Sequence, residues 1–224
     1  MSYDFELDME GNNSNSAILR NIQPNTKVFE FGCAHGRMTK YLKKELNCYV
    51  TISEIDTIPG ESALQFADKS FVGPIDGDLT RKDFPWDDPT YDYVIFADVL
   101  EHLFQPKQYL EQAKKLLRDD GSIWISIPNI AHNAVLIDLW NGKFQYREHG
   151  LLDNTHITFF TRESLKEMVE QCDLKIESEH DLPNTVECTE FKNSYSDVPN
   201  FIGDFMKLRT DGEIYQFVWQ LKKK

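Results

Sequence analysis

The chain of 224 residues lacks several features that would assign its function directly. No apolar run approaches the roughly 20 residues that a membrane-spanning helix needs, so none is predicted. Cysteine is scarce, with four residues and no CxxC pair, which favours a reduced, intracellular protein. Basic residues are outnumbered, with 24 Lys and Arg against 37 Asp and Glu. The net charge of −13 argues against a nucleic-acid backbone or an anionic membrane surface as partner.

The N-terminal segment lacks the pattern of a signal peptide. Residues 1–11 are acidic and polar and contain no apolar core, so we expect a cytoplasmic protein. The hydrophobic content of 41% suffices for one substantial core, which predicts a single domain over residues 1–224. We expect residues 1–25 to form an N-terminal arm, which either folds over the site as a lid or is a disordered terminus.

Short apolar strands alternate with amphipathic helices along most of the chain. This alternation predicts an α/β fold with a doubly wound, mostly parallel, seven-stranded sheet that binds its ligand at the carboxyl ends of the strands. An insertion over residues 130–160 follows the fifth strand on the substrate side. The predicted strands are 27–31, 48–52, 71–75, 93–97, 122–127, 174–178 and 214–221. The predicted helices are 37–46, 58–67, 105–117, 134–140, 162–172 and 201–208.

A glycine-punctuated loop follows the first predicted strand in residues 28–36, VFEFGCAHG. Gly32 and Gly36 can adopt positive φ and carry no Cβ, so a ligand can approach bare main chain there. The loop lacks the GxGxxG spacing of dinucleotide sites and the Lys-Ser/Thr of a P-loop. This pattern favours a nucleoside cofactor without excluding other ligands.

Acidic residues stand at the carboxyl ends of the first four predicted strands. One carboxylate can accept hydrogen bonds from both vicinal hydroxyls of a ribose, and we assign that role to Glu54. Asp78 is placed to accept from an adenine amino group, with Leu79 covering the ring. Glu30 and Asp98 suit a cationic amino acid portion better than a phosphate, which they would repel. The acids therefore favour a sulfonium nucleoside over a nicotinamide dinucleotide.

These motifs resemble those of the class I S-adenosylmethionine-dependent methyltransferases. The resemblance covers residues 26–180 and implies a Rossmann-like methyltransferase fold, with S-adenosylmethionine as cofactor and S-adenosylhomocysteine as its product. One departure is Ala34, because the family often has glycine at that position. The matched stretches are VFEFGCAHG at 28–36, EID at 54–56, GDL at 77–79, YDYVI at 91–95, DVLEHL at 98–103 and GSIWISIPN at 121–129.

The cofactor contacts are expected from the glycine loop and from the ends of the second, third and fourth strands. They are Glu30, Phe31, Gly32, Cys33, Gly36, Glu54, Ile55, Asp78, Leu79, Ala97, Asp98, Val99 and His102. Residues 150–161, GLLDNTHITFFT, are similar to a segment of methyltransferases from bacterial polysaccharide and O-antigen gene clusters. This second similarity implies a role in polysaccharide biosynthesis, with the acceptor bound beside the insertion.

The catalytic candidates follow from the chemistry of the acceptor. Alignment in a dry site supplies most of the acceleration of methyl transfer, but a sugar hydroxyl also favours a nearby general base. The candidates are His156, His149, His102 and Asp153, with His156 preferred. A divalent metal held by His149, Asp153 and His156 is the alternative, but their spacing matches no strong ligand pattern, so we predict no metal site.

The sequence thus predicts an enzyme that O-methylates a hydroxyl of a sugar or nucleotide-sugar. The acceptor is expected to be a small polar molecule rather than nucleic acid or membrane, and the enzyme a monomer or homodimer. N-methylation of an amino sugar or another small amine is the alternative within the class. A nicotinamide oxidoreductase would use a similar sheet, although the glycine spacing and Glu30 oppose it. A non-catalytic nucleoside-binding domain also stays open.

Overall fold

The computed structural model describes residues 7–73 and 90–224. In these ranges eight strands join into one sheet, and the chain also forms seven α-helices. The strands are β1 (Lys27–Phe31), β2 (Tyr49–Glu54), β3 (Lys69–Val72), β4 (Tyr91–Ala97), β5 (Leu117–Pro128), β6 (Leu174–Glu179), β7 (Leu182–Pro183) and β8 (Ile214–Lys223). The helices are α1 (Ser14–Leu19), α2 (Arg37–Lys44), α3 (Thr57–Ala63), α4 (Pro106–Leu116), α5 (Asn133–Trp140), α6 (Arg162–Gln171) and α7 (Asn200–Lys207).

The strand order is β3-β2-β1-β4-β5-β8-β6, with the two-residue β7 also paired to β8. Strands β1 to β5 pair in parallel, whereas β8 runs antiparallel to β5, β6 and β7. The chain moves outward from β1 to β3 and then returns to the other side of β1 at β4, which makes the crevice between β1 and β4 the switch point. The predicted doubly wound, mostly parallel α/β sheet is confirmed, with β7 as an eighth strand.

Side chains of the central strands alternate between two apolar clusters, one on each face of the sheet. In β1, Phe29 packs in one cluster and Val28 in the other, and in β4 Phe96 and Ile95 divide in the same way. The first cluster includes residues of α4 and α6, and the second includes residues of α1, α2 and α3. Because both faces of the sheet are covered, these strands are continuous apolar runs, and they can therefore be predicted from the sequence.

A third apolar cluster lies outside the sheet. It joins α5 and Leu151 of the insertion to Val186, Phe191 and Val198 of the segment before α7. The chain between β7 and β8 therefore folds onto the insertion and supports it. This packing fixes the position of a segment whose sequence shows only a weak helical pattern.

Helix α1 is not predicted by the sequence pattern, and it lies within the expected arm of residues 1–25. Asn13 caps it in a reciprocal box with Ser16, and Ile18 is fully buried against the second cluster. Tyr3 and Phe5 of the arm lie outside the described residues, so a lid stays a prediction. No helix within residues 7–73 and 90–224 combines the length and apolar character needed to cross a bilayer.

Candidate active site

A cavity of about 580 Å³ lies at the carboxyl ends of β1, β2 and β4, at the switch point of the sheet. Its volume falls within the range of roughly 300–1,000 Å³ that is typical of small-molecule sites. The insertion closes one end of the cavity, and Tyr215 and Gln216 of β8 reach it across β5. The predicted site residues that line it are Glu30, Phe31, Gly32, Cys33, Glu54, Ile55, Ala97, Asp98, Val99, His102, Asp153 and His156.

Four predicted site residues are placed differently or not described. Asp78 and Leu79, assigned to the adenine, lie outside the described residues. Gly36 does not line the cavity but precedes α2 with a φ of +79°. His149 is exposed on the insertion and is not among the lining residues.

The glycine loop turns through three residues with positive φ: Gly32 at +62°, Ala34 at +45° and Gly36 at +79°. A Cβ on Gly36 would lie 2.8 Å from the backbone Cα of Ala63, so any side chain there would displace α3. Ala34 occupies the left-handed region although it carries a Cβ. Its amide donates to Glu54 Oε2 at 2.7 Å, which holds the loop against the end of β2.

Glu54 ends β2 and is almost completely buried, with its carboxylate on the cavity wall. Oε2 accepts from the Ala34 amide, and Oε1 accepts from the Asp56 amide at 3.0 Å. Each carboxylate oxygen can accept a second hydrogen bond. The two backbone amides therefore orient the carboxylate while leaving it able to receive a pair of vicinal hydroxyls.

Glu30 is buried at the end of β1, and its Oε2 accepts a hydrogen bond from Thr39 Oγ1 at 2.7 Å. Burial raises the pKa of this carboxyl to about 7, opposed by the Thr39 hydrogen bond and the positive charge of Arg37. Arg37 begins α2 and also lines the cavity. A carboxylate and a guanidinium side by side suit a ligand that carries both an ammonium and a carboxylate.

Asp98 follows β4 and holds a left-handed φ of +56°. Its Oδ1 accepts from Ser126 Oγ at 3.1 Å and from the Gln216 amide, and Oδ2 accepts from Ser14 Oγ at 3.4 Å. Burial raises the pKa of this carboxyl, and the hydrogen bonds from Ser126 and Ser14 together with the charges of Arg37 and His102 oppose the shift. Asp98 thus joins β4, β5, β8 and α1 at the cavity, and its expected contact with an amino group stays a prediction.

At the insertion end of the cavity, Glu101 lies in the short 3₁₀ turn Leu100–His102 after β4. Its backbone carbonyl accepts from the amides of Ile157 and Thr158 at 2.9 and 3.0 Å, which anchors the insertion to this turn. Its side chain is only 2% exposed, and neither carboxylate oxygen has a hydrogen-bond partner among the described residues. Burial, followed by the nearby charge of Asp98, raises the pKa of this carboxyl well above its usual range.

Two histidines face Glu101 across this end of the cavity. His156 is buried, and its Nε2 lies 4.0 Å from Glu101 Oε1. The ring centroids of His102 and His156 are 4.8 Å apart. Burial and the neighbouring His102 lower the pKa of His156. Two of the three histidines named as base candidates are thus brought together, beside a carboxylate that received no role from the sequence.

Asp153 is buried beside this cluster, where it shapes the insertion. Its Oδ1 accepts from the Thr155 amide at 2.8 Å and from Thr155 Oγ1 at 2.6 Å. Thr155 in turn lies against His102, so the insertion turn positions that ring. Asp153 is therefore placed to support the histidines as well as to line the cavity.

Comparison with known proteins places the chain in a family. Residues 13–179 match the family model described as a methyltransferase domain. The chain belongs to this methyltransferase family. Its sheet has the Rossmann-like fold of solved S-adenosylmethionine-dependent methyltransferases. The cavity fits this cofactor, because Glu54 can receive ribose hydroxyls, while Glu30 and Arg37 offer opposite charges to its amino acid portion.

The individual relatives are distant. A glycine/sarcosine/dimethylglycine N-methyltransferase of Actinopolyspora halophila is 21% identical over 117 residues, which cover 50% of this chain and 20% of that enzyme. The match therefore spans a fifth of that curated relative.

Solved structures share the fold at low sequence identity. A TehB-like S-adenosylmethionine-dependent methyltransferase of Corynebacterium glutamicum superposes with a TM-score of 0.57 at 15% identity, covering 96% of this chain and 90% of that one. A possible histamine N-methyltransferase of Thermotoga maritima superposes with a TM-score of 0.61 at 15% identity, covering 94% of this chain and 88% of that one.

Proposed function

We propose that the protein transfers the methyl group of S-adenosylmethionine to a hydroxyl of a small polar acceptor, a sugar or nucleotide-sugar. The observation that carries this proposal is the cluster of buried Glu101 and His156 with half-buried His102 at the insertion end of the cofactor cavity. A hydroxyl becomes a good nucleophile only as its proton is withdrawn, so O-methylation needs such a polar cluster beside the acceptor. The similarity of residues 150–161 to glycan-cluster methyltransferases supports a sugar as the acceptor.

The cofactor occupies the part of the cavity formed by β1, β2 and α2. Glu54 receives the ribose hydroxyls, Glu30 the ammonium group and Arg37 the carboxylate. Asp78 and Leu79 are assigned to the adenine from the sequence. This arrangement directs the sulfonium toward the insertion, where residues of the 130–160 segment bind the acceptor.

The cofactor supplies a methyl group on a positively charged sulfur and leaves as neutral S-adenosylhomocysteine. The chain contributes alignment of the acceptor oxygen with that methyl group, exclusion of water and removal of the acceptor proton. The methyl–sulfur bond breaks as the methyl–oxygen bond forms, and the hydroxyl proton is lost at the histidine cluster. This is the step that His156 and His102 are placed to assist.

N-methylation of a small amine is the second candidate. The Actinopolyspora relative is named for glycine, sarcosine and dimethylglycine, and the Thermotoga structure for histamine. The carboxylate oxygens of Glu101 have no hydrogen-bond partner among the described residues and could accept from the N–H of a neutral amine, which favours this reading within the site. A neutral amine needs little base assistance, so a His156→Gln variant should retain activity toward an amine and lose it toward a hydroxyl.

Cofactor binding is tested first by isothermal titration with S-adenosylmethionine and S-adenosylhomocysteine. We expect Glu54→Gln to weaken both at least about tenfold, because it removes a charged acceptor of hydrogen bonds. Glu61→Gln, on the exposed face of α3, is the matched control and should bind as the unmodified protein does. Equal affinities in both variants would contradict the assignment of the cavity.

The acceptor is then sought by mass spectrometry of reactions with sugars, nucleotide-sugars, amino sugars, glycine and sarcosine. A methylated hydroxyl in a sugar product supports the proposal, and methylation restricted to amines replaces it with the second candidate. Cofactor binding without any methylated product across the panel would favour a non-catalytic nucleoside-binding domain.

A further inference from the structure

We infer that Glu101, His102 and His156 bind one divalent transition-metal ion at the acceptor end of the cavity. Each of the three side chains offers one ligand atom, and these atoms all lie within 4.8 Å of one another. All three residues line the cavity, so an ion held there would face the space left for the acceptor. A carboxylate and two imidazoles form a common ligand set for catalytic transition metals.

The carboxylate of Glu101 is the first independent indication of a cation. Both of its oxygens are buried, and neither has a hydrogen-bond partner among the residues that the structure describes. An unsatisfied buried carboxyl group is costly, whereas coordination of a cation would satisfy it. A purely structural glutamate at this position would be expected to accept hydrogen bonds from neighbouring amides or hydroxyls.

The histidines are oriented as metal ligands usually are. His102 Nδ1 lies 3.2 Å from the carbonyl oxygen of Thr155, and His156 Nδ1 lies 3.3 Å from that of Leu151. A carbonyl oxygen can only accept, so each Nδ1 carries the proton and each Nε2 presents a lone pair. A ligating histidine typically donates its other N–H to a backbone carbonyl in the same way, which fixes the tautomer and the ring.

The nature of the ion follows from the ligands and their spacing. Bonds of about 2.0–2.2 Å would bring the ligand atoms to roughly 3.0–3.5 Å from one another, so the cluster would contract around the ion. The separation of 4.0 Å between His156 Nε2 and Glu101 Oε1 leaves only a short movement. Two nitrogen ligands favour Zn²⁺ or Co²⁺ over Mn²⁺, Ca²⁺ and Mg²⁺, which prefer oxygen.

The role of this ion rests on the proposed function. An acceptor hydroxyl bound to the ion would have a lowered pKa and would lose its proton to solvent as it binds, before methyl transfer in the water-excluded cavity. Its oxygen would then form the new bond to the methyl group while the methyl–sulfur bond breaks. With the ion bound, both imidazoles would be ligands, so they would assist the loss of the hydroxyl proton through the ion instead of accepting the proton themselves, and loss of either one would still lower activity toward a hydroxyl.

The test measures metal binding by the full chain in the absence of acceptor. Protein stripped with a chelator is titrated with Co²⁺, whose visible absorption reports nitrogen ligation, and with Zn²⁺, Mn²⁺, Mg²⁺ and Ca²⁺ by calorimetry. We expect one equivalent of Co²⁺ or Zn²⁺ to bind. Glu101→Gln and His156→Gln should each weaken that binding at least about 100-fold, because loss of a direct ligand costs more metal affinity than loss of a residue that only hydrogen-bonds to a ligand. His180→Gln, which alters a histidine outside the cavity, is the matched control and should bind normally.

Cofactor titration of the same variants shows whether each has folded, and either variant alone suffices if the other has not. Absence of saturable binding by Co²⁺ and Zn²⁺ would overturn the inference, as would equal metal affinity in the folded Glu101→Gln and His156→Gln variants. These outcomes would not contradict the proposed function, which is tested separately by cofactor binding and by detection of a methylated product. Conversely, a protein that binds the metal but methylates no hydroxyl would keep the site and lose the proposed function.

Discussion

The amide of Ala34 donates a hydrogen bond to Glu54 Oε2 at 2.7 Å, and this bond joins the glycine loop to the carboxyl end of β2. Ala34 has a φ of +45°, a conformation that costs an L-residue roughly 1–2 kcal/mol. The hydrogen bond to a buried carboxylate offsets that strain. At Ala34 the loop therefore has a backbone conformation that glycine would adopt without strain. The same hydrogen bond orients the carboxylate of Glu54, which is assigned to the ribose.

Replacement of Ala34 by glycine is predicted to stabilise the protein. Glycine removes the strain of the left-handed conformation, while its greater freedom in the unfolded chain cancels part of the gain. We expect the free energy of unfolding to rise by up to about 1 kcal/mol, with cofactor affinity unchanged. Urea denaturation monitored by circular dichroism measures the change.

Ala67→Gly is the matched control for this substitution. Ala67 has an ordinary φ of −96°, so glycine there only adds freedom to the unfolded chain and removes a methyl group. This variant should be less stable than the unmodified protein. If both variants lose the same stability, the backbone at Ala34 is not strained.

Glu30 is predicted to make the cofactor affinity depend on pH. Burial raises the pKa of this carboxyl to about 7, and an ammonium group beside it would favour the ionised form. Below that pH, binding must displace a proton, so affinity should rise as the pH increases from 5 to about 7 and then level off. Calorimetry in buffers of different ionisation enthalpy should detect proton release on binding at pH 6. Glu30→Gln should bind more weakly and without this pH dependence.

The same carboxyl should lower the stability of the cofactor-free protein at higher pH. Its folded pKa lies above the unfolded value of 4.5, so the folded state holds a proton that the unfolded state releases between these values. The resulting loss of stability accumulates as the pH rises from about 4.5 to about 7 and is on the order of 3 kcal/mol. Cofactor-free Glu30→Gln should therefore melt above the unmodified protein at pH 8 but not at pH 4.5. If the difference in melting temperature between Glu30→Gln and the unmodified protein is the same at both pH values, the raised pKa of Glu30 is contradicted.

The sheet is predictable because its central strands are buried on both faces. The run at residues 27–31 is predicted with the bounds that β1 has, since the apolar residues stop at the glycine that begins the loop. Helix α1 is not predicted, because it has only six residues and its capping box uses Ser16 in place of the usual Glu or Gln. Its stability comes from packing against the sheet rather than from its local pattern.

The acceptor end of the site is less predictable because its contacts join distant parts of the chain. Glu101 stands in the matched stretch DVLEHL, yet only the fold shows that its carbonyl anchors the insertion and that His156 faces its carboxylate. Gln216 reaches Asp98 from β8, which no local pattern could place beside β5. The cofactor end, in contrast, is built from residues directly after consecutive strands and can be predicted from their order.

Arg162 connects four parts of the C-terminal half of the chain. It begins α6, forms ion pairs with Glu179 and Asp181, and bonds through Nε to Asp211 at 2.9 Å. Its guanidinium also lies 4.9 Å from the centre of the Phe217 ring. Because its side chain is only 15% exposed, the loss of its charge would leave several carboxylates without compensation.

Replacement of Arg162 by methionine, which keeps the aliphatic packing, is predicted to lower the free energy of unfolding by about 2–3 kcal/mol. Arg162→Lys should recover only part of this, because an ammonium cannot reach the three carboxylates in the geometry of the guanidinium fork. Arg118→Met is the matched control: Arg118 is half exposed and pairs with Asp92 alone among the described acids, so we expect a loss of at most about 1 kcal/mol. Chemical denaturation of the three variants measures these changes in the free energy of unfolding. If Arg162→Met and Arg118→Met lose similar amounts, the buried network of Arg162 stabilises the protein no more than the surface pair of Arg118 does.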